Sequence, residues 1–124
     1  MDRKRFVEDT ARMLLEQGVY AVSENARMCR YRTPTGMKCA LGLHIPDNIY
    51  HSNMEHKVAT KLLLLFPALK EYLSNLYGPI SDEDAEFLWR VQTALHDRRA
   101  IPVLLEQRPI LSIEESLQEL SPYL

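Results

Sequence analysis

The chain has 124 residues, of which 46% are hydrophobic and 26% charged, and this length and composition are those of one ordinary globular domain. Its formal net charge of −2 argues against a general nucleic-acid-binding protein, because such a protein needs excess cations to neutralise phosphates. The longest apolar run, residues 62–69, is far shorter than the roughly 20 residues of a membrane span, and no apolar signal segment follows the first basic residues. We therefore expect a single soluble, cytoplasmic domain over residues 1–124 that has no membrane partner.

The N-terminal segment predicts an amphipathic helix over residues 2–17. Gly18 follows at the position where a left-handed residue commonly ends a helix. The apolar side chains of the segment recur at helical spacing: Phe6, Val7, Ala11, Leu14 and Leu15. Residues 19–26 show no clear period and end in Ser-Glu-Asn, so we expect a loop there.

The segment from Met28 to Leu43 predicts a short β-hairpin. Its centre reads Thr-Pro-Thr-Gly (33–36), in which the proline presets φ for a turn and the glycine accepts the positive φ that closes it. The flanks, residues 29–32 and 37–40, are short and alternate in character. Two-residue and three-residue loops both fit, so the register stays open. Such a hairpin is marginal alone, and we expect it to pack on helices.

Helical patterns return after the hairpin. Ser52 and Glu55 fit a capping box, which predicts a helix over residues 53–66. The next residue is a proline, which is tolerated in the first turn of a helix. A second helix is therefore expected over residues 67–77, where a Gly-Pro pair stops it.

Further helices are predicted in the C-terminal half. Ser81 and Asp84 indicate the start of a helix that runs to about Arg98, with an acidic first turn and a basic last turn that suit the helix dipole. A short helix could cover residues 103–107, and Ser112 with Glu115 would cap a last one. The sequence therefore predicts an α+β fold that is mostly α-helical, with about five helices and one inserted short β-hairpin.

The cations of the predicted hairpin are the first candidate site. Arg30 and Arg32 are two residues apart and share a face of their strand, and Lys38 lies on the facing strand. Arginine can bind a phosphate or carboxylate through two parallel hydrogen bonds. The alternative is a solvated charged surface, which is the usual explanation of such a cluster. Nearby residues would suit a nucleotide-sized ligand by offering rings and a carboxylate: Tyr31, Tyr50 and Asp47.

The pair His96-Asp97 ends the predicted helix that begins after Ser81. A protonated histidine suits the C-terminus of a helix, but this position does not explain the aspartate. We therefore expect this helix to touch the hairpin, and an ion pair from Arg32 or Lys38 would account for the aspartate. The adjacent His-Asp is similar to that of metal-dependent phosphohydrolases, although the spacing of the other histidines is not diagnostic.

The two cysteines, Cys29 and Cys39, are expected to be reduced and free of metal. Structural zinc sites usually contain a closely spaced cysteine pair, and no such pair occurs here. Cys39 could be a nucleophile if a base lay within hydrogen-bond reach. A buried structural role for both thiols is the simpler interpretation.

Residues 29–55, the polar segment, carry a resemblance as a whole. The pattern C-x-Y-R-x3-G-x-K-C-A-x-G-x2-I-P-D-x2-Y begins at Cys29, and Met54-Glu55, Gln92 and His96-Asp97 follow it. It resembles a group of small uncharacterised proteins of bacteriophages and bacterial genomes. The resemblance implies a phage-linked origin, a place in the host cytoplasm and a pocket shared by the hairpin and the helix after Ser81. It implies no established activity, and it does not extend beyond Asp97.

Three functions from different classes are compatible with these features. The first is a non-enzymatic phage-type protein that counteracts host defence by binding an anionic nucleotide-like ligand in that pocket. The second is an inhibitor or adaptor that binds a host protein through its surface, and the third is a small metal- or Cys-dependent hydrolase. We expect the first, with no cofactor and no metal, and a homo-oligomer is also compatible with the sequence. The predicted ligand-binding residues are Arg30, Tyr31, Arg32, Lys38, Asp47, Tyr50, His96 and Asp97.

Overall fold

The computed structural model describes residues 1–21, 30–97, 110 and 112–124. The described residues contain five α-helices: α1 (Arg3–Gln17), α2 (Ala59–Leu65), α3 (Pro67–Tyr77), α4 (Asp82–Gln92) and α5 (Glu114–Leu120). A π-helical turn, Thr93–Asp97, continues α4. The described residues also form three 3₁₀ turns: Gly42–His44, Ser52–Met54 and Ser121–Tyr123. Cys29 and the helix predicted over residues 103–107 lie outside the described residues.

The segment predicted to be a β-hairpin forms a tight turn without β-strands. The N–H of Gly36 donates to the carbonyl of Thr33 over 2.9 Å, and Gly36 has a φ of 86°. One antiparallel bridge joins Arg32 and Lys38. No β-strand occurs in the described parts of the chain. The fold is therefore all-α, and the predictions of an α+β class and of a β-hairpin are wrong.

The bridge does not extend into strands because the neighbouring backbone groups bond to side chains from other segments. Tyr31 and Arg32 donate their backbone N–H groups to the carboxylate of Glu55 over 2.9 and 3.2 Å. The N–H of Lys38 donates to the amide oxygen of Gln17 over 2.9 Å, and its carbonyl accepts from the amide nitrogen over 2.8 Å. These groups are the ones that a longer ladder needs. Alternation in the local sequence does not reveal that distant side chains bond to them.

Helices α1 and α4 begin where the sequence predicts. The side chain of Asp2 accepts from the N–H of Arg5 at the start of α1, and Gly18 ends this helix with a φ of 80°. Ser81 and Asp84 form the complete capping box that was expected for α4. The predicted positions of Gly18, Ser81 and Asp84 are thus confirmed, whereas the cap at Asp2 was not predicted. Helix α4 changes to a π-helical turn after Gln92 rather than continuing as an α-helix.

The helix predicted over residues 53–66 is much shorter, since α2 has only seven residues. Ser52–Met54 forms a 3₁₀ turn instead, and His56 has a φ of 65°, which interrupts an α-helix. The carboxylate of Glu55 does not complete a capping box, because it points inward to the backbone near Tyr31. The spacing of Ser52 and Glu55 fits either arrangement, so the sequence could not distinguish them.

The helices enclose one apolar core. Helix α2 packs chiefly against α4, and α1 packs against α3 and the Gly42–His44 turn. The largest fully buried side chains come from several elements: Phe6, Phe87, Leu14, Met54, Leu62, Leu69, Leu88, Leu95 and Leu120. Within the described ranges, every helix is too short or too polar to cross a bilayer.

Candidate functional site

The side chain of Glu55 lies at the centre of the polar segment. Only 4% of it is exposed, and its carboxylate accepts hydrogen bonds from the N–H groups of Tyr31 and Arg32 and, over 2.6 Å, from the hydroxyl of Tyr50. The Nε of Arg30 lies 3.9 Å from Glu55 Oε1. A buried carboxylate is costly unless donors and a counter-charge surround it, and Glu55 has both. Burial, together with the bond to Glu55, raises the pKa of Tyr50 to about 12.

Arg32 connects the tight turn to the segment after Gly42. Its Nη2 lies 2.8 Å from Asp47 Oδ1 and donates to the carbonyl of Ile45 over 2.8 Å. Its guanidinium also stacks on the ring of Tyr50, with 4.3 Å from Cζ to the ring centroid. Three predicted ligand-binding residues, Arg32, Asp47 and Tyr50, are therefore in contact. The side chain of Asp47 is 88% exposed, so this ion pair lies at the surface.

The charges of Arg30 and Lys38 are less completely paired. The buried Nε of Arg30 has no hydrogen-bond partner among the described residues, and its contact with Glu55 is long. Among the described residues, the side chain of Lys38 forms no ion pair or hydrogen bond. Because Lys38 and Arg32 are opposed in an antiparallel bridge, their side chains project from the same face. Three cations thus face two carboxylates, those of Glu55 and Asp47, which leaves an excess of one positive charge.

Tyr31 does not take part in this surface with its ring. Its side chain is buried, and its hydroxyl donates to the carbonyl of Lys57. The sequence suggested that the Tyr31 ring could stack on a nucleotide base, but the buried ring is not accessible to one. Burial raises the pKa of this hydroxyl well above its usual range.

His96 and Asp97 belong to a second network. The Nε2 of the fully buried His96 accepts the N–H of Ala21 over 3.0 Å, which places the ring proton on Nδ1. Nδ1 then donates to Asp97 Oδ1 over 3.1 Å, and this oxygen also accepts from the amide of Gln92 over 2.7 Å. The imidazole is neutral, and both of its nitrogens are bonded.

The polar segment touches α4 through an amide rather than through an ion pair. The N–H of Leu41 donates to Gln92 Oε1 over 2.8 Å. In the described structure, neither Arg32 nor Lys38 forms an ion pair with His96 or Asp97, so the predicted ion pair is wrong. At Gln92 the two elements are therefore in direct contact, as expected, although through an amide.

The candidate catalytic groups are engaged in structural contacts. Cys39 is 1% exposed, and its Sγ accepts the N–H of Gly42 over 3.4 Å. Burial raises the pKa of this thiol to about 12, so it is not a thiolate at neutral pH. Among the described residues, no group of three or more His, Cys, Asp or Glu side chains is placed so that it could hold a metal ion. The contacts of Cys39 and His96 give the hydrolase alternative no support.

Sequence reasoning missed the contacts that fill the space under the polar segment. His44 Nε2 donates to Thr10 Oγ1 over 2.6 Å, and its ring stacks on Phe6 at 4.1 Å. Burial lowers the pKa of His44 to about 4. A Cβ on Gly42 would lie 2.0 Å from the carbonyl oxygen of Tyr31, so only glycine fits there. These contacts join distant segments, and no local pattern indicates them.

Among the described residues, cavities also open at two places away from this segment. One, of about 250 Å³, lies between α2 and α4 and has a mainly apolar lining. The other, of about 200 Å³, lies between α4 and α5 and is lined by Trp89, Arg90, Thr93, Ala94, Glu119, Leu120 and Tyr123. None of the eight predicted ligand-binding residues lines either cavity. The half-exposed Trp89 was a signal that sequence reasoning did not use.

Comparison with known proteins identifies no similar protein. No protein-family model matches the chain, and no curated protein or solved structure shows significant similarity to it. The functional interpretation therefore depends on the geometry of the site and on the residue pattern.

Proposed function

We propose that the protein is a non-enzymatic binding protein that holds an anionic, nucleotide-like ligand on the surface formed by Arg30, Arg32 and Lys38. The observation that carries the proposal is the Arg32–Lys38 bridge, which places two cations side by side on one face of a tight turn. Like charges in directly opposed positions repel each other. An anion bound between them would remove this repulsion.

The chemistry of the surface favours recognition of a phosphate. The side chain of Arg30 is 34% exposed, and its contact is with a carboxylate that already accepts three hydrogen bonds. In the Arg32–Asp47 ion pair the carboxylate of Asp47 is exposed to solvent, and such surface pairs contribute little to stability. A phosphate could therefore replace Asp47 at Arg32 at small cost. His96 and Asp97 lie in the other network and have no part in this site.

The proposed biological role is the capture of a host nucleotide signal by a phage-encoded protein. The resemblance of residues 29–55 to small phage proteins supports it. Part of that pattern has structural reasons, since Gly42, Glu55 and Gln92 hold the polar segment in place. Arg32 and Lys38 are the cationic positions of the pattern that remain for a ligand.

The proposal is tested by calorimetric titration with mono-, di- and cyclic nucleotides. Lys38→Glu is the decisive variant, because the Lys38 side chain has no partner within the described structure and its loss should not disturb the fold. A lost charge-assisted contact should weaken binding roughly ten- to a hundredfold. Lys4→Glu is the matched control, since Lys4 is exposed on α1 and the change in net charge is identical.

A second variant should act in the opposite direction. Asp47→Asn removes the competing carboxylate from Arg32 and should tighten binding several-fold without loss of stability. Absence of heat with every nucleotide at about 1 mM would contradict the proposal. Equal affinities for Lys38→Glu and Lys4→Glu would show that any binding site lies elsewhere.

A further inference from the structure

The cavity between α4 and α5 combines an exposed aromatic ring with an unpaired cation. Trp89 is 47% exposed, although tryptophan is large and apolar. The guanidinium of the neighbouring Arg90 lies over the ring of Tyr123, with 4.4 Å from Cζ to the ring centroid. In the described part of the chain, Arg90 forms no ion pair and its side chain donates no hydrogen bond. Both groups line the same cavity of about 200 Å³.

The walls of this cavity are held in place by buried or charged contacts. The hydroxyl of Ser116 donates to the carbonyl of Ala94 over 2.6 Å and fixes α5 against the end of α4. Arg3 donates to the carbonyl of Tyr123 over 3.0 Å, and Arg3 is itself paired with Asp84 at 2.9 Å. The ring under Arg90 is therefore anchored at its backbone. A stacked guanidinium keeps its N–H edges free, so Arg90 can present two parallel donors to an anion.

We propose that this cavity binds a small aromatic monocarboxylate, with the carboxylate on Arg90 and the aromatic ring on the indole of Trp89. The fork of N–H groups on arginine matches the two oxygens of a carboxylate. The volume is below the roughly 300 Å³ at which drug-sized pockets begin, and it suits a ligand of one ring. The lining contains one cation, Arg90, and one carboxylate, Glu119, and this charge balance disfavours a multiply charged phosphate and allows at most a monoanion. This site is independent of the surface formed by Arg30, Arg32 and Lys38.

The experiment is a fluorescence titration with benzoate as the probe. Trp89 is the one tryptophan of the chain, so selectively excited indole emission reports on this cavity. Benzoate should change the emission saturably, with a Kd on the order of 1 mM, as expected for so small a ligand. Benzyl alcohol, which has the ring without the charge, should bind at least about tenfold more weakly. Sodium chloride at equal ionic strength corrects for salt.

Two matched variants identify the anchor. Arg90→Lys keeps the charge but loses the fork, and it should weaken benzoate binding about tenfold. Arg5→Lys is the control, because Arg5 on α1 also stacks on a tyrosine, Tyr77, and neither residue lines this cavity. Three results would each overturn the proposal: no saturable change up to about 20 mM benzoate, equal binding of benzyl alcohol, or equal affinities in the two variants. Weakening in Arg90→Lys alone would establish it.

Discussion

Replacement of Glu55 is the perturbation that should damage the fold of the polar segment most. Glu55→Ala leaves the N–H groups of Tyr31 and Arg32 without an acceptor, and it removes the partner of the Tyr50 hydroxyl. Each buried donor left unpaired costs about 1–3 kcal/mol, so the variant should lose about 3–5 kcal/mol. That is a large part of the roughly 5–15 kcal/mol that stabilises a domain of this size.

Glu55→Gln gives a measurable intermediate case. The amide keeps one acceptor oxygen, but its NH₂ group would face the second backbone donor, so we expect a loss of about 2 kcal/mol. Urea unfolding followed by circular dichroism should show a midpoint lowered by about 1 M with an unchanged m-value. Glu8→Gln, an exposed change on α1, is the control. If Glu55→Gln were as stable as Glu8→Gln, the central role of Glu55 in this segment would be refuted.

The remaining predictions concern buried groups. The pKa of His44 is about 4 in the folded protein and near 6.5 when unfolded, so the unfolded state binds the extra proton and stability falls as the pH drops from 6.5 to 4. Between pH 8 and pH 5 this loss should be about 2 kcal/mol, and His44→Gln should abolish it in unfolding titrations; an unchanged pH dependence would contradict the assignment. Gly42→Ala should lower the free energy of unfolding by about 3 kcal/mol or more, because the added Cβ meets the Tyr31 carbonyl. Gly36→Ala has open space but a positive φ, and it should lower the free energy of unfolding by about 1 kcal/mol. Similar melting temperatures for the two variants would argue against the close approach at Gly42. In a Cys29→Ser background, Cys39 should react with a thiol reagent only after unfolding, and rapid reaction of the native protein would show that it is not buried as described.

Local signals in the sequence predicted the helix boundaries well where a cap determines them. Gly18 ends α1, and Ser81 with Asp84 starts α4, because each of these residues acts on its own turn of helix. The same kind of signal failed at Glu55, whose carboxylate bonds to a segment more than 20 residues away. A capping pattern predicts a cap only when no distant backbone group binds the same carboxylate.

The hairpin prediction failed for a related reason. The turn at residues 33–36 has the geometry that proline and glycine favour, and the N–H of Thr33 donates to the carbonyl of Met37. Farther from the turn, the backbone N–H groups of Tyr31, Arg32 and Lys38 bond to Glu55 and Gln17 instead. Short alternating flanks therefore indicated which side chains are buried but not which groups satisfy the backbone. The local sequence does not show that distant side chains form the hydrogen bonds of these backbone groups.

The candidate site was predictable where its members are close in sequence. Arg32, Asp47 and Tyr50 come together because the Gly42–His44 turn brings the chain back on itself. His96 could not be placed in this way, since its partner is the backbone of Ala21, 75 residues away. The cavity beside Trp89 was missed because α4 and α5 are joined by a long segment, so their contact is not evident from the sequence.

The central claim is that an anion binds at Arg30, Arg32 and Lys38. The most direct measurement is a titration of the ¹⁵N-labelled protein with ADP, in which amide shifts locate the ligand residue by residue. The account predicts saturable shifts concentrated at these three residues and Asp47, which are lost in Lys38→Glu and retained in Lys4→Glu. Shifts that cluster around Trp89 and Tyr123 instead, or no shifts at about 1 mM ADP, would contradict it.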